Sequence, residues 1–127
     1  MDIKTHEKID QSLCGKPLQV EEGYSRVELT PTGSMVADDS GLIHGGFIFG
    51  MADYAAMLAV NHPNVVLGAS DVKFLKPVKV SETVIAEAKV GEQAGKKRIA
   101  AVTVSRKDEP VFEGTFTCFV LDNHVLG

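Results

Sequence analysis

Residues 45–60, GGFIFGMADYAAMLAV, constrain the fold most strongly, because every position except Asp53 is glycine or hydrophobic. The run is long enough for about four helical turns, lacks proline and is rich in strong helix formers, which favours a helix over a strand. Pro63 then ends it, since proline cannot continue the hydrogen-bond ladder. A helix that is apolar all round lies in the middle of a domain. We therefore predict a central, buried helix over about residues 46–61.

Strand patterns flank this helix. Residues 84–90 alternate between apolar and charged side chains, as expected for a strand with one covered face. The stretch LQVEEGYSRVELT, before the helix, indicates a strand or a bent hairpin arm. Four strand-like runs follow the helix, at residues 64–75, 82–92, 98–107 and 110–122. The sequence thus predicts an α+β fold in which these four strands form an antiparallel meander.

The N-terminal residues are less hydrophobic. Residues 3–13 place a few apolar side chains among charges, which predicts a short amphipathic helix ended by Gly15 and Pro17. No repeat, linker or low-complexity tract interrupts the chain, and 127 residues with 44% hydrophobic residues suffice for one core. We therefore expect a single domain over residues 1–127.

Composition excludes several classes of function. The net charge of −4 comes without a basic stripe, which argues against a nucleic-acid partner. No 18-residue stretch is apolar and uncharged enough to cross a membrane, and the polar N-terminus lacks the apolar region of a signal peptide. Cys14 and Cys118 are too few for a disulfide framework, and Cys118 lies in an alternating apolar run typical of a small buried side chain. A cytoplasmic location is predicted.

Asp53 is the one carboxylate in the predicted helix. Its helical neighbours three and four positions away, Phe49, Gly50, Ala56 and Met57, are apolar or glycine. An ionised carboxylate in such surroundings must find donors or water, or its pKa rises. A carboxylate with a raised pKa is what a general base near neutral pH requires. The alternative is a structural aspartate that accepts a hydrogen bond from a backbone amide.

His44, Gly45 and Gly46 stand at the predicted helix start. Free N–H groups there, together with the helix dipole, suit an oxygen that gains negative charge, and glycine lets a ligand carbonyl approach the backbone. The alternatives are a tight turn into the helix and a structural loop histidine. The other histidines form no metal-binding spacing with His44, and we expect no metal or redox cofactor.

The combination of HGG with an acid nine residues after the histidine, on a buried helix followed by strands, resembles the hotdog-fold acyl-CoA thioesterases of the phenylacetate-pathway and 4-hydroxybenzoyl-CoA kind. The similarity covers roughly residues 18–122 and includes the stretch FLKPVKVSETV. The resemblance implies a hotdog fold, in which an antiparallel sheet of five or six strands wraps around the central helix.

The resemblance also implies a site. Two protomers, or a tetramer built from such pairs, would bind an acyl-CoA at their interface. Asp53 would act as general base or nucleophile, and the Gly45 N–H would bind the thioester oxygen. His44 completes the candidate catalytic residues, and Gly46 and Asp38 are candidate substrate contacts. Basic side chains that would meet the CoA phosphates, unless they are ordinary surface charges, are Lys73, Lys76 and the turn formed by Lys96, Lys97 and Arg98.

Five large apolar side chains are candidates for the lining of an acyl pocket. Phe47, Phe49, Met51, Met57 and Phe74 fit either a pocket lining or an ordinary core.

Several members of the family carry asparagine six residues before the histidine, where this chain has Asp38. A second carboxylate near Asp53 would raise its pKa, which would either tune a base or mark a pocket that no longer hydrolyses its ligand.

A sensing module is the second interpretation. The segments ADYAAMLAV, ASDVKFLKPVKV and VFEGTF resemble the effector domain of the malonyl-CoA-sensing repressor of bacterial fatty-acid synthesis. That family joins its hotdog domain to a helix-turn-helix, for which the roughly 17 residues before the first strand are too few, and it lacks a carboxylate at the position of Asp53. Both differences favour an enzyme over a sensor, and the alternative that stays open is a stand-alone acyl-CoA-binding or sensing module that acts through a protein partner. A dehydratase of the same fold fits less well, because its acid-plus-histidine pair does not map onto this chain.

Overall fold

The structure is a computed structural model that describes residues 1–127, apart from the side chain of Glu92. Its helices and strands, in chain order, are α1 (Gln11–Cys14), β1 (Lys16–Glu21), β2 (Tyr24–Leu29), α2 (Gly45–Val60), β3 (Val65–Phe74), β4 (Val84–Ala94), β5 (Lys97–Arg106) and β6 (Glu109–Val120). A short 3-10 turn, Gly33–Met35, lies in the loop before α2. None of the helices in this described part is long and apolar enough to span a bilayer.

The six strands form one antiparallel sheet in the order β1-β2-β4-β5-β6-β3. Strands β4, β5 and β6 form the expected meander. The prediction of a four-strand meander was wrong for β3. This strand pairs with β6 at the edge of the sheet and not with β4. Residues 75–83 therefore cross from the β3 edge to β4. The alternation of apolar and polar residues shows which face of a strand is covered but not which strand lies beside it. The sequence pattern therefore did not distinguish a β3 strand beside β4 from a β3 strand beside β6.

Helix α2 lies against the inner face of the sheet and contacts β2, β4 and β5 most extensively. It begins and ends one residue earlier than predicted. Its sheet-facing side is rich in alanine, which lets the helix backbone approach the strands closely. The Ser25 hydroxyl donates a buried hydrogen bond of 2.6 Å to the Ala55 carbonyl, which fixes β2 against the helix. Cys118 is fully buried in this core, as the alternation predicted.

The N-terminal residues differ from the expectation. Instead of a helix over residues 3–13, only Gln11–Cys14 are helical, with Asp10 as N-cap. The Lys4 N–H donates to the Asn61 side-chain oxygen at 2.8 Å, and the Asn61 amide donates to the Asp2 carbonyl at 2.8 Å. These two hydrogen bonds hold the backbone of residues 2 and 4 at the C-terminal end of α2. We call residues 2–14 the N-terminal strap.

Candidate active site

The N-terminus of α2 is open. His44 is the N-cap residue and its side chain makes no capping hydrogen bond. Among the described residues, no acceptor is in place for the N–H groups of Gly45 and Gly46. Unpaired N–H groups at the positive end of a 16-residue helix are suited to an anion or to an oxygen that gains negative charge.

Both glycines are closely approached by rings. A Cβ atom built on Gly45 would lie 2.9 Å from the Phe74 ring, and one on Gly46 would lie 2.8 Å from the His44 imidazole. These rings therefore lie directly against the helix start, at positions that only glycine leaves free. Phe74 is 57% exposed, so its outer side faces solvent beside the unpaired N–H groups.

Asp53 lies in the middle of α2. Its carboxylate is largely buried, and the Oδ1 atom has no hydrogen-bond partner among the described residues. Burial raises the pKa of Asp53 from 3.8 to about 6. No backbone amide donates a hydrogen bond to Oδ1 among the described residues, in contrast to what the structural alternative required. A carboxylate in this state can accept a proton near neutral pH.

The surroundings of Asp53 are asymmetric along the helix. Toward the C-terminus, Ala56 and Met57 are fully covered. Toward the N-terminus, nothing lies within 4 Å of a Cβ atom built on Gly50, and Gly46 is exposed. Asp53 thus marks the point where a covered helix face gives way to the open position of Gly50, and we define this furrow by Gly50 and Asp53.

Asp53 and Gly45 are too far apart to act on the same carbonyl within one chain. They are eight positions apart on one helix, which corresponds to about 12 Å along the axis. A thioester carbonyl is far smaller than this separation. If both residues act on one thioester, they belong to different copies of the chain.

Aromatic rings connect the two regions. Phe74 contacts Phe112 at a centroid distance of 5.1 Å, Phe112 contacts Phe116 at 6.4 Å, and Phe116 contacts Phe49 at 5.5 Å. This row runs from the helix start to the residue one turn before Asp53. Met51 and Met57, which sequence left open between pocket and core, belong to the core.

The charge of Asp53 affects the pKa of two thiols. Burial and the Asp53 charge raise the pKa of Cys118 to about 12, and the same causes, with a contribution from Asp10, raise the pKa of Cys14. Both thiols are therefore protonated at neutral pH and neither is a ready nucleophile. Sequence reasoning treated Cys118 as core and gave Cys14 no role.

Asp38 is exposed in the loop before α2. Its carboxylate accepts hydrogen bonds from the Ser40 N–H at 2.9 Å and the Ser40 hydroxyl at 2.6 Å, and these lower its pKa. Asp38 is not among the causes of the Asp53 shift, which is due to burial. Within one protomer, then, the predicted repulsion between the two carboxylates does not act.

The predicted phosphate-binding side chains belong to β3, to the loop that follows it and to the β4–β5 hairpin. Because Phe74 points inward to Gly45, the adjacent Lys73 points to the outer face of the sheet, where it lines a groove of about 320 Å³ with Asp71 and Glu113. Lys76 forms an ion pair with Glu109 at 3.2 Å.

In the β4–β5 turn, Lys96 pairs with Asp122 at 2.9 Å, and Arg98 donates to the Gly95 carbonyl at 2.6 Å. Among the described side chains, no three histidine, cysteine or acidic residues cluster to hold a metal ion.

A family model described as the thioesterase superfamily matches residues 40–113. A methylthioribose-1-phosphate isomerase from Aquifex aeolicus is 57% identical over 123 residues, which are 96% of this chain and 27% of that protein. A transcription factor FapR from a Thermoanaerobacter species is 29% identical over 115 residues, 90% of this chain and 58% of that protein. The chain thus spans only part of the length of each of these curated relatives.

Solved structures share the architecture. The crystal structure of an uncharacterized protein from Pyrococcus horikoshii has a TM-score of 0.99 at 52% identity and covers 100% of this chain and 98% of that chain. A hypothetical thioesterase from Streptococcus pneumoniae, solved with coenzyme A, has a TM-score of 0.77 at 21% identity, over 86% of this chain and 87% of that chain, and shows the shared fold alone. The α+β hotdog fold predicted from the sequence is confirmed.

Proposed function

The chain belongs to the thioesterase superfamily, and we propose that it hydrolyses an acyl-CoA thioester with Asp53 as general base or nucleophile. The observation that carries the proposal is the buried, unpartnered Oδ1 atom of Asp53, on a carboxylate whose pKa burial raises to about 6. Such a group is ionised at neutral pH yet basic enough to take a proton from water, which a structural aspartate with a full set of donors is not.

In the general-base form of the reaction, Asp53 takes a proton from water while the water oxygen bonds to the thioester carbon. The carbonyl oxygen becomes negative and accepts hydrogen bonds from the N–H groups of Gly45 and Gly46. The C–S bond then breaks, CoA leaves as a thiolate that takes up a proton, and the acyl group leaves as a carboxylic acid. In the nucleophilic form, Asp53 displaces CoA and water hydrolyses the resulting anhydride. Neither form oxidises or reduces the substrate, and we propose that no metal or redox cofactor takes part.

The proposal requires at least a homodimer, because about 12 Å separates Asp53 from Gly45 within a protomer. Strand β3 is an edge strand, and its last residue, Phe74, and the following residue, Leu75, have exposed apolar side chains, at 57% and 42%. An uncovered edge next to apolar surface favours pairing with a second copy. A two-fold axis would place Gly45 of one copy beside Asp53 of the other, in two equivalent sites.

The ligand class is supported by the superfamily and by the neighbour of the same fold that was solved with coenzyme A. A cytoplasmic location and the phosphate contacts of Lys73 and Lys76 stay predictions.

The test is a hydrolysis screen over acyl-CoAs of different chain length, with Asp53→Asn as the deciding variant. We expect turnover of the best substrate to fall by about 10²- to 10⁴-fold, the usual contribution of a positioned base. Affinity should stay constant or increase, because the variant removes a buried charge. The acid limb of the pH profile should lie near 6, the pKa of Asp53.

Asp108→Asn is the matched control, since this exposed carboxylate lies in the β5–β6 turn at a φ of 67° that asparagine also adopts. It should leave turnover unchanged. Full activity in Asp53→Asn would show that Asp53 is not the reacting group.

A sensing module is the second candidate, favoured by the similarity to the FapR transcription factor over 90% of this chain. In that case the parent protein would bind acyl-CoA and turn over none of it, and Asp53→Asn would change affinity alone. The isomerase activity named for the Aquifex aeolicus relative is not carried over, since the chain corresponds to only 27% of that protein.

A further inference from the structure

The segment between β3 and β4 is bonded to the residues that lead into α2. We call this segment, residues 75–83, the crossover. The Ile43 N–H donates to the Val78 carbonyl at 2.9 Å, and the Val80 N–H donates to the Gly41 carbonyl at 2.9 Å. Ile43 and Val78 are both buried, so the bond between them is shielded from water. Because Ile43 stands two positions before Gly45, the crossover backbone fixes the path by which the chain enters the helix.

The side chain of Arg106, the last residue of β5, holds the crossover in turn. Its Nη1 atom donates to the Pro77 carbonyl at 2.8 Å and to Glu82 Oε1 at 3.0 Å, and its Nη2 atom donates to Glu109 Oε1 at 2.9 Å. Glu82 Oε1 also accepts the Lys79 N–H at 2.7 Å. A planar guanidinium that serves three acceptors fixes their relative positions, which a flexible ammonium does not. Arg106 therefore ties the β5–β6 turn to two points of the crossover.

A short run of backbone connects Arg106 to the helix start. Pro77, which accepts the guanidinium bond, directly precedes Val78, and Val78 accepts the bond from Ile43. A shift of the crossover would therefore pass to Ile43 and, two positions later, to the N–H group of Gly45. Ion pairs that stay partly in water usually contribute little to stability, and Glu82 is 36% exposed. The network is thus better suited to setting geometry than to stabilising the fold.

We propose that Arg106 is a positioning residue that holds the crossover so that the N–H groups at the start of α2 point at the thioester oxygen. This inference rests on the proposed function, because it assumes that those N–H groups bind that oxygen. Arg106 acts through Pro77 and Val78 and is not a catalytic residue. A misplacement of about 1 Å can cost about 10²-fold in rate, so a small shift of the crossover would suffice.

Amide hydrogen exchange tests the link without any ligand. Arg106→Gln loses the charge and the fork of donors, and we expect the Ile43 N–H to exchange about tenfold faster by NMR, because its bond to Val78 opens more often. The Asn61 N–H, which donates to the Met57 carbonyl at the other end of α2, is the internal reference and should keep its rate. An Ile43 rate equal to the parent's would overturn the inference.

Kinetics separate positioning from stability. Arg106→Gln should lower kcat for the best acyl-CoA by about 10- to 10²-fold and leave KM unchanged, because misaligned N–H groups lose most where the oxygen becomes negative, in the transition state. Affinity for a thioether analogue of an acyl-CoA, which cannot be hydrolysed, should also stay at the parent's value. Arg106→Lys keeps the charge but cannot reach all three acceptors, so its kcat should lie between the two.

Arg26→Gln is the matched control, since Arg26 lines a groove with Ile85 and Ser105 and should not affect kcat. A lower melting temperature with the parent's kcat in folded Arg106→Gln would assign Arg106 a structural role, overturn this inference and leave the proposed function intact. If Arg106→Gln does not fold, Arg106→Lys decides: the parent's kcat and Ile43 exchange rate in that variant overturn the inference. If the parent hydrolyses no acyl-CoA, both the inference and the proposed function fall.

Discussion

Asp53 shows how one side chain can be costly for folding and useful for chemistry. A carboxylate that loses water without gaining donors is destabilised in its ionised form, and this one has an Oδ1 atom without a partner among the described residues. Burial is the resolved cause of its raised pKa. Since nothing nearby compensates the charge, a water molecule or a substrate beside Asp53 meets a strong acceptor. The stability cost and the basicity have the same origin.

The pH dependence of stability follows from this shift. Aspartate titrates near 3.8 when unperturbed and near 6 in the folded protein. Between these values the folded state holds a proton that the unfolded state has lost, so the free energy of unfolding decreases as pH rises from about 4 to about 6, by up to about 1.4 kcal/mol per pH unit. We expect Asp53→Asn to match the parent near pH 4 and to be more stable at pH 7, as measured by urea unfolding.

Asp38→Asn should change the free energy of unfolding in the opposite direction to Asp53→Asn. Hydrogen bonds from Ser40 lower the pKa of Asp38, so this carboxylate stabilises the fold above its unfolded pKa, and that contribution is lost as the pH falls. Removing it should lower stability at pH 7. Parallel pH curves for the parent and Asp53→Asn would show that the Asp53 pKa is not raised in solution.

We expect a substitution at Gly50 to increase the stability of the protein and to weaken acyl-CoA binding. Glycine inside a helix costs up to about 1 kcal/mol relative to alanine, and a Cβ atom at Gly50 would contact nothing within 4 Å in the protomer. Gly50→Ala should therefore raise the free energy of unfolding by up to about 1 kcal/mol while weakening acyl-CoA binding, because the methyl group enters the furrow. Thermal melts and titration with a thioether analogue measure the two effects. Tighter or unchanged binding would mean that no ligand occupies the furrow.

At the scale of elements, the contact between the strap and α2 depends on Asn61. Asn61 adopts a left-handed conformation with a φ of 50° and exchanges two hydrogen bonds with the strap. Asn61→Ala loses both bonds and places alanine in a strained conformation, and we expect it to cost about 2 to 3 kcal/mol. Asn61→Gly loses the same bonds without the strain, so it should cost less. Both variants should free the strap for proteolysis, and protection equal to the parent's would show that other contacts hold it.

The central helix could be predicted because its signal is local: an uninterrupted apolar run, strong helix formers, and a proline three residues after its end. Asp53 and the HGG turn could be named as candidates for the same reason, since each stands out against its immediate neighbours. The position of β3 beside β6 and the path of the strap depend on contacts between distant segments, such as the bond from Lys4 to Asn61. The apolar positions in residues 3–13 suit a helix, but only Gln11–Cys14 are helical. Hydrogen bonds to Asn61 hold the preceding residues instead.

For the whole molecule, the proposed mechanism depends on the oligomeric state. One protomer carries the proposed base at mid-helix and the open N–H groups at the helix start, about 12 Å apart. In the proposed isologous dimer these two halves would meet twice, because a two-fold axis makes each contact reciprocal. Light scattering at micromolar concentration should therefore show no stable monomer.

Mixing two inactive variants tests the shared site directly. Asp53→Asn lacks the base, and Gly45→Val blocks the N–H groups, so each homodimer should be nearly inactive. When the two variants are unfolded and refolded together, half of the dimers are mixed, and each mixed dimer has one site with an intact Asp53 from one copy and an intact Gly45 from the other. Turnover should recover to about a quarter of the parent's value, as a two-fold shared site requires. A chain that carries both substitutions, refolded with Asp53→Asn, is the control that should recover nothing, since no Asp53 remains. If the mixture of single variants also stays inactive while light scattering shows mixed dimers, Asp53 and Gly45 do not act on the same thioester across the interface.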